Sequence, residues 1–86
     1  MPRYFFDTHD GQHVIDDVGT ELADFEAARH EAMGFLPEIA RWAIPQDGDK
    51  QAFTVLIRDE AGVVLYTATL SFAGVRLNEG ALATPA

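Results

Sequence analysis

Cysteine is absent from this chain of 86 residues. That excludes disulfides, thiol nucleophiles and thiolate metal centres, and it removes the staples on which small secreted domains rely. Basic residues are scarce as well: six Lys and Arg stand against 14 Asp and Glu, a formal net charge of -8. Affinity for a phosphate backbone comes mainly from cationic side chains displacing counterions. With the six spread from Arg3 to Arg76 and forming no patch, nucleic acid is not an expected partner. There is no apolar run approaching the ~18 residues of a membrane span, and the opening Met1-Pro2-Arg3-Tyr4-Phe5-Phe6-Asp7 lacks the long apolar stretch of a signal peptide. A cytoplasmic location is expected. Serine occurs once, at Ser71, on the outward parity of a strand with no histidine beside it, so no hydrolytic triad is expected.

What remains reads as one small globular domain, 48% hydrophobic and 23% charged. A chain of this size buries only about 60–65% of the surface its unfolded form exposes. Its interior is not expected to enclose a ligand-sized pocket, which lowers the expectation of an enzyme acting alone.

The punctuation is nearly symmetrical, with a hairpin signal at each end and an amphipathic helix between. Asp10-Gly11 is the dipeptide of a two-residue type I′ turn. That turn would set His9 opposite Gln12, Thr8 opposite His13, Phe6 opposite Ile15 and Tyr4 opposite Asp17. Tyr4, Phe6 and Ile15 then form the core face, while Arg3, Phe5, Asp7 and Val14 point the other way. Asp24 is a helix N-cap, with Glu26 near the positive end of the helix dipole. Phe25, Ala28, Ala32, Leu36, Ile39 and Ala43 recur at three- and four-residue steps and form one apolar stripe. Gly34 and Pro37 conflict with this helix and are expected to kink it or break it in two.

After the turn cluster Pro45 to Lys50, alternation resumes. Phe53, Val55 and Ile57 form one face, as do Val64, Tyr66, Ala68, Leu70 and Phe72 after a turn around Glu60-Ala61-Gly62. The expected register pairs Ile57 with Val64, Val55 with Tyr66 and Phe53 with Ala68. On the other side of the sheet it sets Leu56 opposite Leu65, Thr54 opposite Thr67 and Arg58 opposite Val63. The predicted fold is α+β in β-β-α-β-β order: a four-stranded antiparallel sheet of two hairpins with one helix on one face, strand order undetermined. The domain spans residues 1–77, and residues 78–86 are expected to form a disordered tail.

Chemistry-bearing constellations are weak. In the type I′ register His9 and His13 point to opposite faces and cannot share an ion, so no metal and no cofactor are expected. Asp16-Asp17 and Asp47-x-Asp49 do not match the spacing of a calcium loop. An enzymatic or metal-binding reading would need Asp7, His9 and Asp16 to converge on one face. Carboxylates placed at hairpin ends in water are not activated, so no enzyme is expected. Arg29, at the edge of the helix stripe, is expected to pair with Asp17 or Glu21. Trp42, on its flank, would cover the end of the sheet or anchor a partner.

Pro2-Arg3-Tyr4-Phe5-Phe6-Asp7, Asp17-Val18-Gly19-Thr20-Glu21-Leu22 with Asp24, Ala27-Ala28-Arg29, Glu31-Ala32, Val55, Arg58-Asp59-Glu60-Ala61-Gly62 and Leu70-Ser71-Phe72 together resemble one family. It is a family of short uncharacterised bacterial proteins, a domain of unknown function abundant in rhizobia and related alphaproteobacteria. The resemblance covers almost all of residues 2–77 and implies a bacterial cytoplasmic domain occurring alone. It brings no activity, ligand or catalytic residue. The functional expectation is a small non-enzymatic interaction or regulatory protein, either a homodimer or a partner of another protein. Its expected surface is the sheet face away from the helix, where Phe5, Val14, Leu56, Val63 and Leu65 replace the polar residues of a solvated face. The alternative is an antitoxin-like protein whose acidic surface neutralises a basic RNA-cleaving partner.

Overall fold

The computed structural model describes residues 1–46 and 48–77. Its elements in chain order are β1 (Arg3–His9), β2 (His13–Val14), β3 (Thr20–Glu21), α1 (Phe25–Ala43), β4 (Lys50–Arg58) and β5 (Val64–Ala73). The fold is α+β, and strand-strand-helix-strand-strand order holds. The second arm of the first hairpin is broken into β2 and β3, so the sheet has five strands. Strand order is β2-β1-β4-β5, with β3 pairing the other end of β1. The two hairpins therefore join through antiparallel β1 and β4, with Phe6 opposite Ile57 and Thr8 opposite Val55. The expected tail, residues 78–86, lies outside the described residues.

Both hairpin registers differ from expectation, with unequal consequences. In the first, the loop is Asp10-Gly11-Gln12, with Gly11 at φ +96° and the Asp10 N–H donating to the Gln12 carbonyl. Thr8 then lies opposite Val14 and His9 opposite His13. A one-residue slip transfers side chains to the other face of the sheet. Val14 consequently sits on the helix side, His9 and His13 share the far side, and Ile15 leaves the sheet 58% exposed instead of covering Phe6.

In the second hairpin the slip is two residues, so the faces survive from Tyr66 onward and only Val64, before the bulge, changes sides. Ile57 pairs with Tyr66, Val55 with Ala68 and Phe53 with Leu70. The cause is the turn after Arg58: Asp59 Oδ1 accepts the N–H groups of Ala61 and Val63 at 2.9 Å, and Gly62 takes φ +87°. A bulge then sets Val64 opposite Arg58 and leaves Leu65 as the extra residue. Leu56 thus faces Thr67 rather than Leu65. Thr54 faces Thr69, their hydroxyls 2.9 Å apart.

The helix begins where the cap requires. Asp24 is extended, and its carboxylate accepts the Ala27 N–H at 2.9 Å. Ala28, Ala32, Leu36 and Ala40 are buried, and three small residues on this stripe let the helix approach the sheet closely, over Tyr4, Phe6, Phe53, Val55 and Ile57. α1 runs unbroken through Gly34 and Pro37, so of the kink or break expected there the break does not occur. Both project into solvent, where water can serve the carbonyl that the proline leaves without a donor, while the buried stripe on the opposite side stays intact. At the helix exit Gln51 Nε2 donates to the carbonyls of Ile44 and Gly48, tying α1 to β4.

A Cβ at Gly34 meets nothing within 4 Å. Gly34→Ala is therefore expected to stabilise by up to about 1 kcal/mol, and Pro37→Ala by no more than about 3 kcal/mol. Thermal denaturation of the two variants checks this, and a loss of stability in Pro37→Ala would show that the packing requires the proline.

Candidate functional site

The densest polar cluster lies on and beside β1. Asp7, only 4% exposed, points to the far face of the sheet, as does Arg58 one strand away. The Arg58 guanidinium grips it through Nε to Oδ2 at 2.7 Å and Nη2 to Oδ1 at 3.0 Å. The same Nη2 donates to the Asp16 carbonyl at 2.9 Å, and the Asp16 N–H donates to Asp7 Oδ1 at 2.9 Å. Asp16 completes the latch from its other end. Its Oδ2 accepts the Phe6 N–H that a neighbouring strand would otherwise take, and its Oδ1 accepts the N–H groups of Val18 and Gly19. One carboxylate side chain thus stands in for the missing middle of a strand and caps the edge of β1 between β2 and β3.

The surrounding residues reinforce the latch. Arg58 lies over the Phe5 ring at 5.2 Å. Arg3 donates to the Val18 carbonyl and pairs with Glu21 at 2.8 Å. Gly19, at φ +77°, permits the close approach: a Cβ there would lie 2.8 Å from both Phe5 Cε2 and Arg3 Cγ. Among the described residues no buried side-chain polar atom lacks a partner.

The electrostatics follow from these contacts. The Arg58 hydrogen bonds hold the Asp7 carboxyl below its ordinary 3.8 against the opposing effect of burial, aided by the Asp16 N–H and by the charges of Arg58 and His13. At Asp16 burial pushes upward, but the N–H groups of Gly19, Phe6 and Val18 together outweigh it, and this carboxyl too is lowered. Both therefore stay ionised at neutral pH. Neither is poised as a general acid.

On the helix side of the same edge lies an open groove of about 480 Å³. Its origin is the shortness of β2. Where a longer strand would have continued beneath the helix flank, the latch pulls the chain away and leaves Phe6 as floor, Phe35 and Ile39 on one wall, and Val14 and Ile15 on the other. Phe6 and Phe35 meet edge to face at 5.2 Å. Asp16, Asp17 and Glu38 stand among its lining residues, and no basic residue does. The expectation for so small a chain concerned an enclosed interior pocket; this space is an open surface groove.

A family described as a domain of unknown function (DUF6894) matches residues 3–71. The chain belongs to that family. No curated protein and no solved structure matches it. The matched span of this DUF6894 domain runs from Arg3 in β1 to Ser71 in β5, so it contains the whole latch and the groove.

Within the domain, several expected placements change. His9 and His13 are cross-strand neighbours, their rings 5.6 Å apart, and not on opposite faces. Still, among the described residues no group of three or more His, Cys, Asp and Glu is arranged to hold a metal ion. Asp7 and Asp16 do converge, but around Arg58, and His9 stands opposite Thr54 and His13 instead. Arg29 pairs with Glu26 at 3.6 Å and lies 5.9 Å from the centre of the Tyr66 ring, in place of the expected Asp17 or Glu21. Trp42 is 69% exposed.

Of the five residues expected to form one surface, Phe5 and Leu56 lie on the expected far face and Val14 does not. Phe5 lies under Arg58 and Leu56 is half-buried beside Asp7 in register, while Val14 lines the groove on the opposite side. Val63 is in a turn, and Leu65 occupies the bulge. The residue that sequence reasoning missed is Arg58. Its signal was present: Asp7 and Arg58 both fall on the far-face parity of their strands, and opposite charges on one sheet face are candidates for pairing.

Asp7→Asn turns an amide NH2 toward the Arg58 donors. Because the arginine side chain is 24% exposed and can partly rehydrate, the expected loss sits at or below the low end for a broken buried pair, about 2–3 kcal/mol. Since the folded-state carboxyls of Asp7 and Asp16 lie below their unfolded values, their contribution is fully present above the unfolded value and is lost as pH falls through the folded ones. The melting temperature is therefore expected to fall as pH drops below about 4, and by less in Asp7→Asn than in wild type. Gly19→Ala should cost about 2–3 kcal/mol through strain and clash, whereas Gly11→Ala, which meets no neighbour, should cost only about 1 kcal/mol. Denaturant titration measures both.

Proposed function

We propose that this domain is a small non-enzymatic protein-interaction module that acts as a homodimer, two copies joining through their β5 edges into one continuous sheet. The observation that carries the reading is the inequality of the two sheet edges. The β1 edge is blunted by two strands of two residues each, by the Asp16 carboxylate and by Gly19. The β5 edge is ten residues long and reads Val-Leu-Tyr-Thr-Ala-Thr-Leu-Ser-Phe-Ala, without a charge or a proline. Edge strands of monomers are generally short, charged, bulged or covered, because their free N–H and C=O groups template further pairing. Here the bulge at the start of β5 is such a device, and among the described residues no strand pairs the outer side of the stretch beyond it.

Antiparallel pairing of β5 with its own copy is self-complementary about a two-fold axis, the commonest symmetry of soluble oligomers. It also covers apolar surface that α1 does not. The helix packs against Tyr66 and Ala68, whereas Leu70, on the same face, remains 37% exposed. The acidic charge of two copies does not oppose this contact directly, since β5 carries none of it. The non-enzymatic part of the reading is supported by Asp7 and Asp16, both of which structural hydrogen bonds hold ionised rather than poised to donate a proton. A cytoplasmic setting belongs to the same reading, supported by the absence of cysteine.

Light scattering at micromolar concentration on wild type and on Thr67→Lys with Leu70→Lys is the test. The expected wild-type mass is twice the 9.4 kDa of one chain, and the double variant, with unchanged circular dichroism, is expected to fall to 9.4 kDa. Leu56→Lys, on the far face, should leave the dimer intact. A monomeric wild type would overturn the proposal, as would a dimer that survives the two edge lysines.

A further inference from the structure

We propose that the groove beside β1 is a binding site for a small organic ammonium ion with an apolar body. The groove has the size of a small-molecule site, about 480 Å³, against a common range of roughly 300–1,000 Å³. Its lining combines apolar side chains and carboxylates, with the hydroxyls of Thr8 and Thr20 beside them. Phe6, Phe35 and Ile39, with Val14 and Ile15 opposite them, offer only apolar contact. The carboxylates are Asp16 and Asp17 from the connection and Glu38 from the helix, with no Lys, Arg or His among the lining residues to neutralise them. A neutral hydrophobe would leave the acidic groups unanswered, and an anion would be repelled. A molecule with an apolar end and a cationic end satisfies both.

Asp16 gives the cation a fixed partner. Its carboxylate accepts three N–H bonds, one on Oδ2 and two on Oδ1, out of about four acceptor positions in an ionised carboxylate. Oδ2 thus keeps capacity for one further donor, on a group that the latch holds in place. A preorganised acceptor loses little freedom on binding. Asp17 and Glu38 are exposed and contribute charge more than geometry. The site lies on the β1 edge of the sheet, opposite the β5 edge, so it does not depend on dimerisation and the two proposals can fail separately.

The test uses 3-phenylpropylammonium as the probe, with 3-phenylpropanol and 3-phenylpropionate as its neutral and anionic counterparts, followed by NMR on the full chain. Titration with the ammonium at millimolar concentration is expected to shift Phe35, Ile39, Val14 and Ile15. The alcohol should bind more weakly, and the carboxylate should produce no shift. Asp17→Asn with Glu38→Gln is expected to weaken the ammonium about fivefold while leaving the alcohol unchanged. Ile39→Lys, which places an ammonium of the protein's own in the groove, should abolish binding with the fold retained by circular dichroism. Equal affinity for the ammonium and the alcohol would overturn the proposal, as would shifts that map elsewhere or an absence of shifts at millimolar ammonium.

Discussion

The clasp of Arg58 on Asp7 and Asp16 is the interaction on which the rest of this structure depends. It joins residues separated by 51 positions and ties the connection after β2, which the hydrophobic core does not hold, to β1 and the end of β4. The apolar side of the sheet would assemble without it, since Phe53, Val55 and Ile57 are sealed by the alanine stripe of the helix. The connection from Ile15 to Gly19 would not. With Ile15 and Val18 exposed, it has little apolar surface to bury, and its position rests on hydrogen bonds made by two carboxylates and two arginines. Such a network is stable only while each member keeps its partner, because a desolvated charge that loses its counterpart is destabilising.

The clasp also accounts for the asymmetry of the sheet. By spending the Asp16 side chain on the Phe6 N–H, the chain ends strand pairing at the β1 edge and replaces a template for aggregation with a negative charge. The same diversion leaves the helix overhanging without a strand beneath it, which creates the groove. Among the described residues the opposite edge carries only the bulge at the start of β5. One edge is finished by two short strands and the Asp16 carboxylate, and the other is a strand of ten uncharged residues.

Much of this was legible in the residues, and what was not has a physical pattern. The Asp24 cap, the helix stripe, the faces of β4 and the face of β5 beyond its bulge follow from local periodicity, and they match the structure. The second hairpin shows why faces are easier to read than partners: its register moves by two, because the Asp59 turn and the Leu65 bulge lengthen the loop, yet an even shift leaves parity untouched. In the first hairpin one additional loop residue reversed Val14 and aligned His9 with His13. Pro37 misled as to a break, since its cost is real but an exposed position can bear it within an unbroken helix. The latch was illegible because its partners are remote in sequence and the strand it displaces looked complete. Only the shared far-face parity of Asp7 and Arg58 pointed to it. The family match locates the domain and leaves its biochemistry open.

Native-state hydrogen exchange of two amides tests the central claim most directly. The Phe6 and Asp16 N–H groups are held by side chains of the latch rather than by a strand. In wild type both should exchange slowly at neutral pH. In Arg58→Met both should lose protection together, while the amides of Val55 and Ile57 in the core strand keep theirs. Unchanged protection of Phe6 and Asp16 in that variant would contradict the account, because the connection would then be held by something other than the clasp.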